Sequence, residues 1–282
     1  MVISSPQVKE IARADAAKSV LVFDSGLGGL TVLREIARAR ADLALSLVAD
    51  DAGFPYGRLD DAALLERVVA VLDRYIDALR PDLVVIACNT ASTLALPVLR
   101  KRFPIPFVGT VPAIKPACAQ SKTKRVSVLA TAATVRRDYT FDLIREFAGD
   151  CRVTLRGAER LAGFAEDLLR GIRIDGEAVR AEIEPCFIDD GARTDTVVLA
   201  CTHYPLILPQ LEQCAPWPVT WIDPAPAIAR RASQLLGAEG TPVARSAKAY
   251  FTSGNGVPPV LAGALAEFRV VVAEGLPAGL PV

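Results

Sequence analysis

The amino-acid sequence predicts an α/β protein with two similar domains, mostly parallel sheets and a functional site in the cleft between the domains. Three observations predict this class. Apolar runs rich in β-branched residues alternate with helical patterns. At 282 residues the chain is long enough for two hydrophobic cores. One strand-like stretch also occurs twice, as PDLVVIACNT at 81–90 and as TDTVVLACTH at 194–203.

The predicted strands have nearly continuous apolar character, which is typical of strands that are covered on both faces. Between them lie helical patterns such as 59–80, where apolar residues recur three and four apart and Pro81 follows. This alternation predicts βαβ units and therefore parallel sheets. The predicted strands are 19–24, 43–50, 82–88, 106–110, 125–131, 151–157, 196–201, 218–223 and 247–254.

Two proline-rich connections, at 110–116 and 214–226, predict the crossings between the domains. The first domain is expected to contain residues 1–112 and 224–282, because the last predicted strand can return to the first sheet. The second domain is expected to contain residues 113–223.

Charge and hydropathy exclude several classes of partner. The chain has 32 Lys and Arg against 32 Asp and Glu and hence no net charge, which argues against nucleic acid or an anionic membrane as its main partner. It contains no apolar run of the ~18 residues that a membrane span needs. Residues 1–18 carry charges throughout and are expected to form a polar leader of a cytoplasmic protein.

The six cysteines are scattered, and without a signal segment they do not predict a disulfide framework. A metal site is disfavoured because no two cysteines lie two to four residues apart and His203 is the only histidine. The four cysteines without a paired sequence context are expected to be packing residues. These are Cys118, Cys151, Cys186 and Cys214.

Cys88 and Cys201 end the two copies of the repeated stretch, and a weaker echo between 20–26 and 126–132 also indicates a duplicated plan. Carboxyl ends of parallel strands are where open α/β sheets hold ligands. A thiol at a helix start is expected to feel the helix dipole, which favours the thiolate. Two such thiols suit acid-base catalysis at a stereocentre, with a base on one face and an acid on the other, as a racemase requires.

Polar residues near these strand ends could assist the two thiols. Asp24 could assist one and His203 the other, while Asn89, Thr90 and Thr202 offer donors for a carboxylate. The glycine-rich turn that follows Asp24 is weak evidence for an anion site, because it lacks the Lys-Ser/Thr of a P-loop.

The sequence resembles the glutamate racemases, within the cofactor-independent aspartate/glutamate racemase superfamily, through five motifs in the family's order. The resemblance extends from residue 20 to about residue 254, and the combination of motifs is specific where no single motif is. The motifs are DSGLGG at 24–29, FPYG at 54–57, ACNTAS at 87–92, LATAATV at 129–135 and ACTHYP at 200–205.

This resemblance implies two α/β domains of like topology and interconversion of L- and D-glutamate, without a cofactor, for peptidoglycan synthesis. It implies that Cys88 handles the proton of D-glutamate and Cys201 that of L-glutamate, and that the protein is a homodimer. Asp24 and His203 would be their helpers. Glu166 falls where the family has a glutamate near the second cysteine, although the family's proline-flanked pattern reads GAERLAG here.

The resemblance also implies which residues hold the substrate. They are Asp24, Ser25, Tyr56, Gly57, Asn89, Thr90, Thr134, Thr202 and His203.

Other functions stay open at this point. A racemase for aspartate or a hydantoin is the nearest alternative, but aspartate racemases tend to have Glu where this chain has His203. A non-catalytic anion-binding module would not need the paired cysteines. A hydrolase or decarboxylase with a cysteine nucleophile would need only one of them.

Overall fold

The fold is known from a computed structural model that describes residues 17–242 and 246–275, so the predicted leader lies outside the described residues up to residue 16. In the described part of the chain, ten strands form two sheets in which neighbouring strands are parallel. The strands are β1 (Ser19–Asp24), β2 (Ala44–Ala49), β3 (Leu83–Ile86), β4 (Phe107–Gly109), β5 (Arg125–Thr131), β6 (Arg152–Ala158), β7 (Thr196–Ala200), β8 (Thr220–Ile222), β9 (Ala247–Phe251) and β10 (Val270–Val272).

Helices connect the strands and cover both sheets, which confirms the predicted α/β class. The helices are α1 (Gly29–Ala39), α2 (Asp61–Leu79), α3 (Asn89–Arg102), α4 (Ile114–Gln120), α5 (Ala132–Val135), α6 (Asp138–Phe147), α7 (Leu161–Leu169), α8 (Gly176–Ile183), α9 (Leu208–Cys214), α10 (Ala225–Leu236) and α11 (Pro259–Glu267).

Helix α2 shows how local sequence signals determine the bounds of an element. Its N-cap, Asp60, accepts a hydrogen bond of 2.8 Å from the backbone N–H of Ala63. At the other end Arg80 is in the left-handed region, with a φ of 48°, and Pro81 cannot continue the helix. The helix predicted at 59–80 therefore lies at Asp61–Leu79.

Alternation of side chains along the central strands explains why the strands are apolar throughout. Successive residues of a strand point to opposite faces. Val20 and Val22 of β1 pack in a core with α1, α10 and α11, whereas Leu21 and Phe23 pack in another core with α2 and α3. The second sheet is covered in the same way by α7, α8 and α9 on one face and by α4 and α6 on the other.

The two sheets repeat one topology. The first has the order β10-β9-β2-β1-β3-β4 and the second β6-β5-β7-β8, so the order β2-β1-β3-β4 recurs four strands later as β6-β5-β7-β8. The repeated stretch forms β3 and β7, which pair in parallel with β1 and β5 respectively. Two similar domains, as predicted, are confirmed by this arrangement.

Most predicted strands differ from the observed ones by one or two residues. The predicted strand at 247–254 is β9, which ends at Phe251 and pairs in parallel with β2 of the first sheet. Strand β10 at the edge of that sheet was not predicted. The limits of the two domains stay predictions.

The packing near those limits can still be described. Helix α4 packs in a core of the second sheet through Ile114 and Ala117. Helix α10 packs in a core of the first sheet through Ile228 and Ala232. The chain thus passes between the two sheets before α4 and again before α10.

The length and hydropathy of the helices show whether any of them could cross a membrane. Within residues 17–242 and 246–275, no helix has both the length and the apolar character that crossing a membrane would require.

Candidate active site

Four strand ends from the two sheets meet at one cleft. Asp24 is the last residue of β1 and Thr131 the last of β5, while Cys88 lies shortly after β3 and Cys201 directly after β7. Because parallel strands present their carboxyl ends at the same edge, each sheet contributes the ends of two adjacent strands, β1 and β3 in the first and β5 and β7 in the second. Both repeated cysteines line one cavity between the sheets.

Cys88 is the N-cap of α3 and is 5% exposed. Its thiol lies 3.7 Å from the hydroxyl oxygen of Ser25, to which it donates a weak hydrogen bond. Burial, and secondly the charge of Asp24, raise the pKa of Cys88 to about 12, although the backbone N–H of Ala91 opposes the shift. The expectation that the helix start favours a thiolate here is therefore wrong for this arrangement, since burial outweighs the helix dipole.

Cys201 has different surroundings. It is 6% exposed, and a short 3₁₀ turn, Tyr204–Ile207, separates it from helix α9. Its sulfur lies 3.8 Å from Nδ1 of His203, and Nε2 of the same ring lies 3.0 Å from Oε1 of Glu166. Cysteine, histidine and glutamate thus form a continuous chain of hydrogen-bonding groups.

Charges along this chain follow from its hydrogen bonds. Burial alone would lower the pKa of His203, but hydrogen bonds to Cys201 and Glu166 outweigh it and raise that pKa well above its usual value. Burial alone would raise the pKa of Glu166, but the hydrogen bond and the charge of His203 lower it to about 2. The raised pKa of His203 and the lowered pKa of Glu166 favour an imidazolium beside a carboxylate. Nδ1 faces the sulfur, whereas Nε2 faces Glu166 and also lies 3.2 Å from the backbone nitrogen of Gly28.

Glu166 is held in place from both domains. Its Oε1 accepts a hydrogen bond of 2.6 Å from the backbone N–H of Leu27, two residues before α1. Its Oε2 pairs with Arg170, one helical turn further along the chain. The carboxylate that faces His203 is thus held by the second domain and by the first.

Asp24 joins the two domains rather than bonding directly to Cys88. Its carboxylate accepts hydrogen bonds of 3.0 Å from the Thr202 hydroxyl and 3.2 Å from the backbone N–H of Gly26. Burial raises the pKa of Asp24 to about 6, against the opposing charge of His203 and these hydrogen bonds. Its effect on Cys88 is electrostatic, through the charge that raises the pKa of the thiol.

The glycines of DSGLGG make room for the second domain. A Cβ atom on Gly26 would overlap Oε1 of Glu166, and one on Gly28 would overlap the side chains of Thr202 and His203. The close approach of the histidine and the glutamate thus requires glycine at both positions. This contact explains the motif without a bound phosphate.

Three threonines connect the domains on the Cys88 side. The hydroxyl oxygen of Thr90 lies 3.0 Å from that of Thr131 and 3.3 Å from that of Thr134. The two second-domain hydroxyls are themselves 3.0 Å apart. Each hydroxyl can donate one proton and accept others, so the group can reorient toward a carboxylate without losing all of its bonds.

Asn89 is the buried polar group best placed to receive a ligand. It is 2% exposed and lines the cavity, yet neither its amide nitrogen nor its carbonyl oxygen has a hydrogen-bond partner among the described residues. Buried amides without partners are costly and uncommon. Asn89 is therefore the clearest point at which a polar ligand would gain hydrogen bonds.

The cavity is small in this structure. Its volume is about 20 Å³, whereas one water molecule needs ~10–15 Å³, so the arrangement is a closed one. A cavity of this volume is too small for an amino acid. The cavity is lined by Ser25, Phe54, Pro55, Tyr56, Gly57, Cys88, Asn89, Thr90, Thr131, Ala162, Cys201, Thr202 and His203.

The predicted site residues outside this lining contact it. Asp24 bonds to Thr202, Thr134 bonds to Thr90, and Glu166 bonds to His203. The other cysteines pack in the cores of the second sheet, which confirms the packing interpretation.

Some residues of the site were not predicted. Thr131 ends β5 as Asp24 ends β1, an equivalence that the echo between the two strands could have indicated. Arg170 lies four residues after Glu166 on one helical face, which is a recognisable ion-pair spacing. The ring of Phe54 lies 5.3 Å from that of His203, a contact for which no sequence signal existed.

Residues 25–232 match the sequence profile of the family described as Asp/Glu/Hydantoin racemase. The match covers more than half of the chain. The chain belongs to this family. It is an isomerase of the amino-acid racemase type, and the resemblance to glutamate racemases is confirmed.

Glutamate racemases are similar to this chain over most of its length. The chain is 57% identical to the glutamate racemase of Brucella anthropi over 225 residues, which are 79% of this chain and 81% of the relative. It is 53% identical to that of Agrobacterium fabrum over 253 residues, 86% of this chain and 91% of the relative.

Solved racemase structures have the same fold. Escherichia coli glutamate racemase, in complex with L-glutamate and the activator UDP-MurNAc-ala, superposes with a TM-score of 0.81 at 37% identity, covering 90% of this chain and 97% of that one. The Aquifex pyrophilus glutamate racemase superposes with a TM-score of 0.70 at 27% identity, covering 91% and 99%. The two-domain α/β architecture of the racemase family is thus confirmed for this chain.

Proposed function

We propose that this racemase interconverts L- and D-glutamate without a cofactor, using Cys88 and Cys201 as its two proton carriers. The observation that carries the proposal is that both cysteines follow equivalent strands of the duplicated fold and line the same cavity. The identity of 53% and more to glutamate racemases supports glutamate as the substrate.

The two cysteines have different partners. The thiol of Cys88 is held protonated by burial, so it can donate a proton. The sulfur of Cys201 lies 3.8 Å from Nδ1 of His203, so we propose that the imidazole assists proton transfer at that sulfur. This arrangement is suited to receive L-glutamate, with Cys201 as the base and Cys88 as the acid.

The proton transfers balance in both directions. Cys201 thiolate removes the α-proton of L-glutamate and becomes a thiol, and the Cys88 thiol delivers its proton to the opposite face of the same carbon. D-glutamate then leaves an enzyme with a Cys88 thiolate and a Cys201 thiol, which is the form that accepts D-glutamate. Each cysteine is base in one direction and acid in the other.

Neighbouring acidic and basic residues affect proton transfer at each cysteine. The charge of Asp24 disfavours the Cys88 thiolate, and its pKa of about 6 permits it to be protonated when that thiolate must form. On the other side, Glu166 keeps His203 charged. We propose Asp24 as the helper of Cys88, and His203 with Glu166 as the helpers of Cys201.

We propose that the polar lining holds the glutamate. The unpartnered amide of Asn89 and the hydroxyls of Thr90, Thr134 and Thr202 supply hydrogen bonds to carboxylate oxygens. The remaining contacts come from the residues that border the cavity. They are Asp24, Ser25, Tyr56, Gly57 and His203.

The proposal is tested by incubating the purified protein with L-glutamate in deuterated water, after dialysis against a chelator. We expect optical rotation to decay to zero while deuterium enters at Cα, with no added pyridoxal phosphate, metal or nucleotide. Activity that disappears on dialysis and returns with a cofactor contradicts the cofactor-independent route. Racemisation of L-aspartate in preference to L-glutamate contradicts the substrate.

We further propose that the product supplies D-glutamate for peptidoglycan synthesis in the cytoplasm and that the protein is a homodimer. The identity to glutamate racemases supports the first proposal. Depletion of the protein in cells that lack other sources of D-glutamate should cause loss of cell shape, which added D-glutamate should restore. Light scattering of the purified protein tests the dimer.

A further inference from the structure

One buried carboxylate outside the predicted site joins several elements of the first domain. Asp50 directly follows β2 and has 0% exposure. It accepts hydrogen bonds of 2.6 and 2.7 Å from Nε and Nη2 of Arg67, one of 2.5 Å from the Thr252 hydroxyl, and one from the hydroxyl of Tyr56. A single side chain thus connects β2, α2, the end of β9 and the FPYG turn.

This network lies next to the Cys88 side of the site. The backbone N–H of Asp50 donates to the carbonyl oxygen of Asp24 at 2.8 Å. Tyr56 is 1% exposed, packs in the same core as Cys88 and borders the cavity. Asp50 does not line the cavity itself, and its contact with the site is the hydrogen bond that it accepts from Tyr56.

The hydrogen bond directs the tyrosine. Because the phenol donates its single proton to Asp50, the ring and hydroxyl of Tyr56 are held in one orientation. Burial, and secondly the charge of Asp50, raise the pKa of Tyr56 far above its usual value, so the proton stays on the phenol. Arg67 balances the carboxylate charge, and its guanidinium occupies space that a side chain at Gly53 would need.

The turn held in this way forms one wall of the cleft. A Cβ atom on Gly57, the next residue, would lie 3.5 Å from Cβ of Thr131 in the second domain. The backbone of the turn is thus opposite the threonines that connect the domains. A small displacement of Tyr56 would move this wall relative to Cys88.

We propose that Asp50 is a positioning residue of the racemase, which acts through Tyr56 and Arg67 to hold the FPYG turn against the Cys88 side of the cleft. Its effect on turnover rests on the proposed glutamate racemisation. Its effect on the surroundings of Cys88 does not, and the two can be measured separately.

The neighbouring residue offers a matched control. Asp51 accepts hydrogen bonds of 2.9 and 2.5 Å from the backbone N–H and the hydroxyl of Ser253, and a longer one of 3.4 Å from the Thr252 hydroxyl. Within the described residues it has no hydrogen bond to Tyr56 or Arg67. Asp51→Asn therefore makes the same chemical change one residue away, on a carboxylate that holds the same loop but not the tyrosine.

The first experiment measures kcat and KM for both glutamate enantiomers. We expect Asp50→Asn to lower kcat/KM about 10-fold to 100-fold, which is the loss typical of a small displacement of the residues that position the substrate. Asp51→Asn should lower kcat/KM less than about threefold. Tyr56→Phe should reduce activity as well, and the double variant Asp50→Asn with Tyr56→Phe should be no worse than about the poorer single variant. Equal effects of the two aspartate variants, or losses that multiply in the double variant, would overturn the proposal.

The second experiment needs no substrate. Alkylation by iodoacetamide, followed residue by residue with mass spectrometry, should change severalfold at Cys88 in Asp50→Asn and stay within about twofold at Cys201. Unchanged alkylation of Cys88 overturns the proposal even if glutamate proves not to be the substrate. Conversely, a wild-type protein that does not racemise glutamate leaves this result intact and contradicts only the proposed function.

If Asp50→Asn does not fold, the variant Arg67→Lys tests the same proposal. The Arg67 side chain is about a third exposed, so lysine fits without a buried unpaired charge. Lysine retains the charge but loses the two-pronged bond to Asp50. We expect a smaller change of the same kind at Cys88, and no change there would overturn the proposal.

Discussion

The end of β3 and the end of β7 have nearly the same sequence but different chemistry. At the first, Cys88 begins a helix directly and has a neutral hydroxyl, Ser25, as its partner. At the second, Cys201 precedes a 3₁₀ turn and faces a charged His203 that is held by Glu166. Duplication of the fold thus supplied two equivalent thiol positions, and the residues after each thiol made them unequal.

This difference shows that two cysteines at equivalent positions of a duplicated fold can be surrounded by different hydrogen-bonding groups. A racemase needs one protonated and one unprotonated group in each half of its cycle. Burial, and secondly the charge of Asp24, keep Cys88 protonated. Cys201 is equally buried but faces the imidazole of His203, whose raised pKa favours its charged form. The surroundings of Cys88 therefore favour a proton donor, and those of Cys201 place an acid-base group beside the sulfur, within one cavity.

The largest effect is expected from removing either thiol. Cys88→Ser and Cys201→Ser should each lower kcat for racemisation by roughly 100-fold to 10,000-fold, because a hydroxyl is a far weaker base than a thiol near neutral pH. Circular dichroism of glutamate in both directions measures the loss. Cys118→Ser, at a packing site of the second domain, is the control and should change kcat by less than about twofold.

A smaller and one-sided effect is expected from the imidazole. His203→Asn should lower kcat by about 10-fold to 100-fold in the more affected direction, since His203 supports only Cys201. The equilibrium constant of a racemase fixes the ratio of the two kcat/KM values, so the inequality must appear in kcat and KM separately. Equal losses of kcat in both directions, with KM unchanged, would count against a one-sided helper.

The smallest effect concerns the aspartates that begin the repeated stretches. Asp195 accepts hydrogen bonds from the Ser121 hydroxyl and from the backbone N–H groups of Lys122 and Thr123, at 2.7, 2.7 and 2.9 Å. Asp82 is exposed and accepts bonds only from Ser19 among the described residues. We expect Asp195→Asn to lower the free energy of unfolding by about 1–2 kcal/mol and Asp82→Asn by about half of that.

The pH dependence of this stability has a definite sign. Burial alone would raise the pKa of Asp195, but hydrogen bonds from Ser121, Thr123 and its other partners lower it overall. A lowered pKa in the folded state stabilises the protein above the unfolded value of about 4, and the contribution is lost as pH falls through the folded pKa. The difference in stability between wild type and Asp195→Asn should shrink below about pH 4. A difference that grows on acidification contradicts the assignment.

Much of the fold could be predicted because its signals are local. Continuous apolar runs gave nine of the strands to within a few residues, and the repeated stretch indicated the duplicated sheet order. Strand β10, at the edge of the first sheet, was missed although β4 and β8 are equally short and were predicted. The domain limits depend on which sheet each connecting helix packs against, and this is a property of tertiary contacts.

Site residues at the ends of strands could be predicted from the sequence. Properties that depend on tertiary packing, such as protonation states and long-range contacts, could not. Cys88, Cys201 and His203 stand in recognisable contexts at such ends. The charge state of Cys88 was not predictable, because it depends on burial that no short motif encodes. Asp50 lies in an ordinary strand-to-turn segment, and its partner Thr252 is 202 residues away in the sequence.

The central claim is that each cysteine serves one enantiomer, and elimination tests it most directly. A glutamate analogue with a leaving group at Cβ needs only one deprotonation to eliminate, so each enantiomer reports on one base. We predict that Cys201→Ser eliminates from the D-analogue and not from the L-analogue, and that Cys88→Ser does the reverse. Loss of elimination with the same enantiomer in both variants, or retention of both in either one, would contradict the two-sided account.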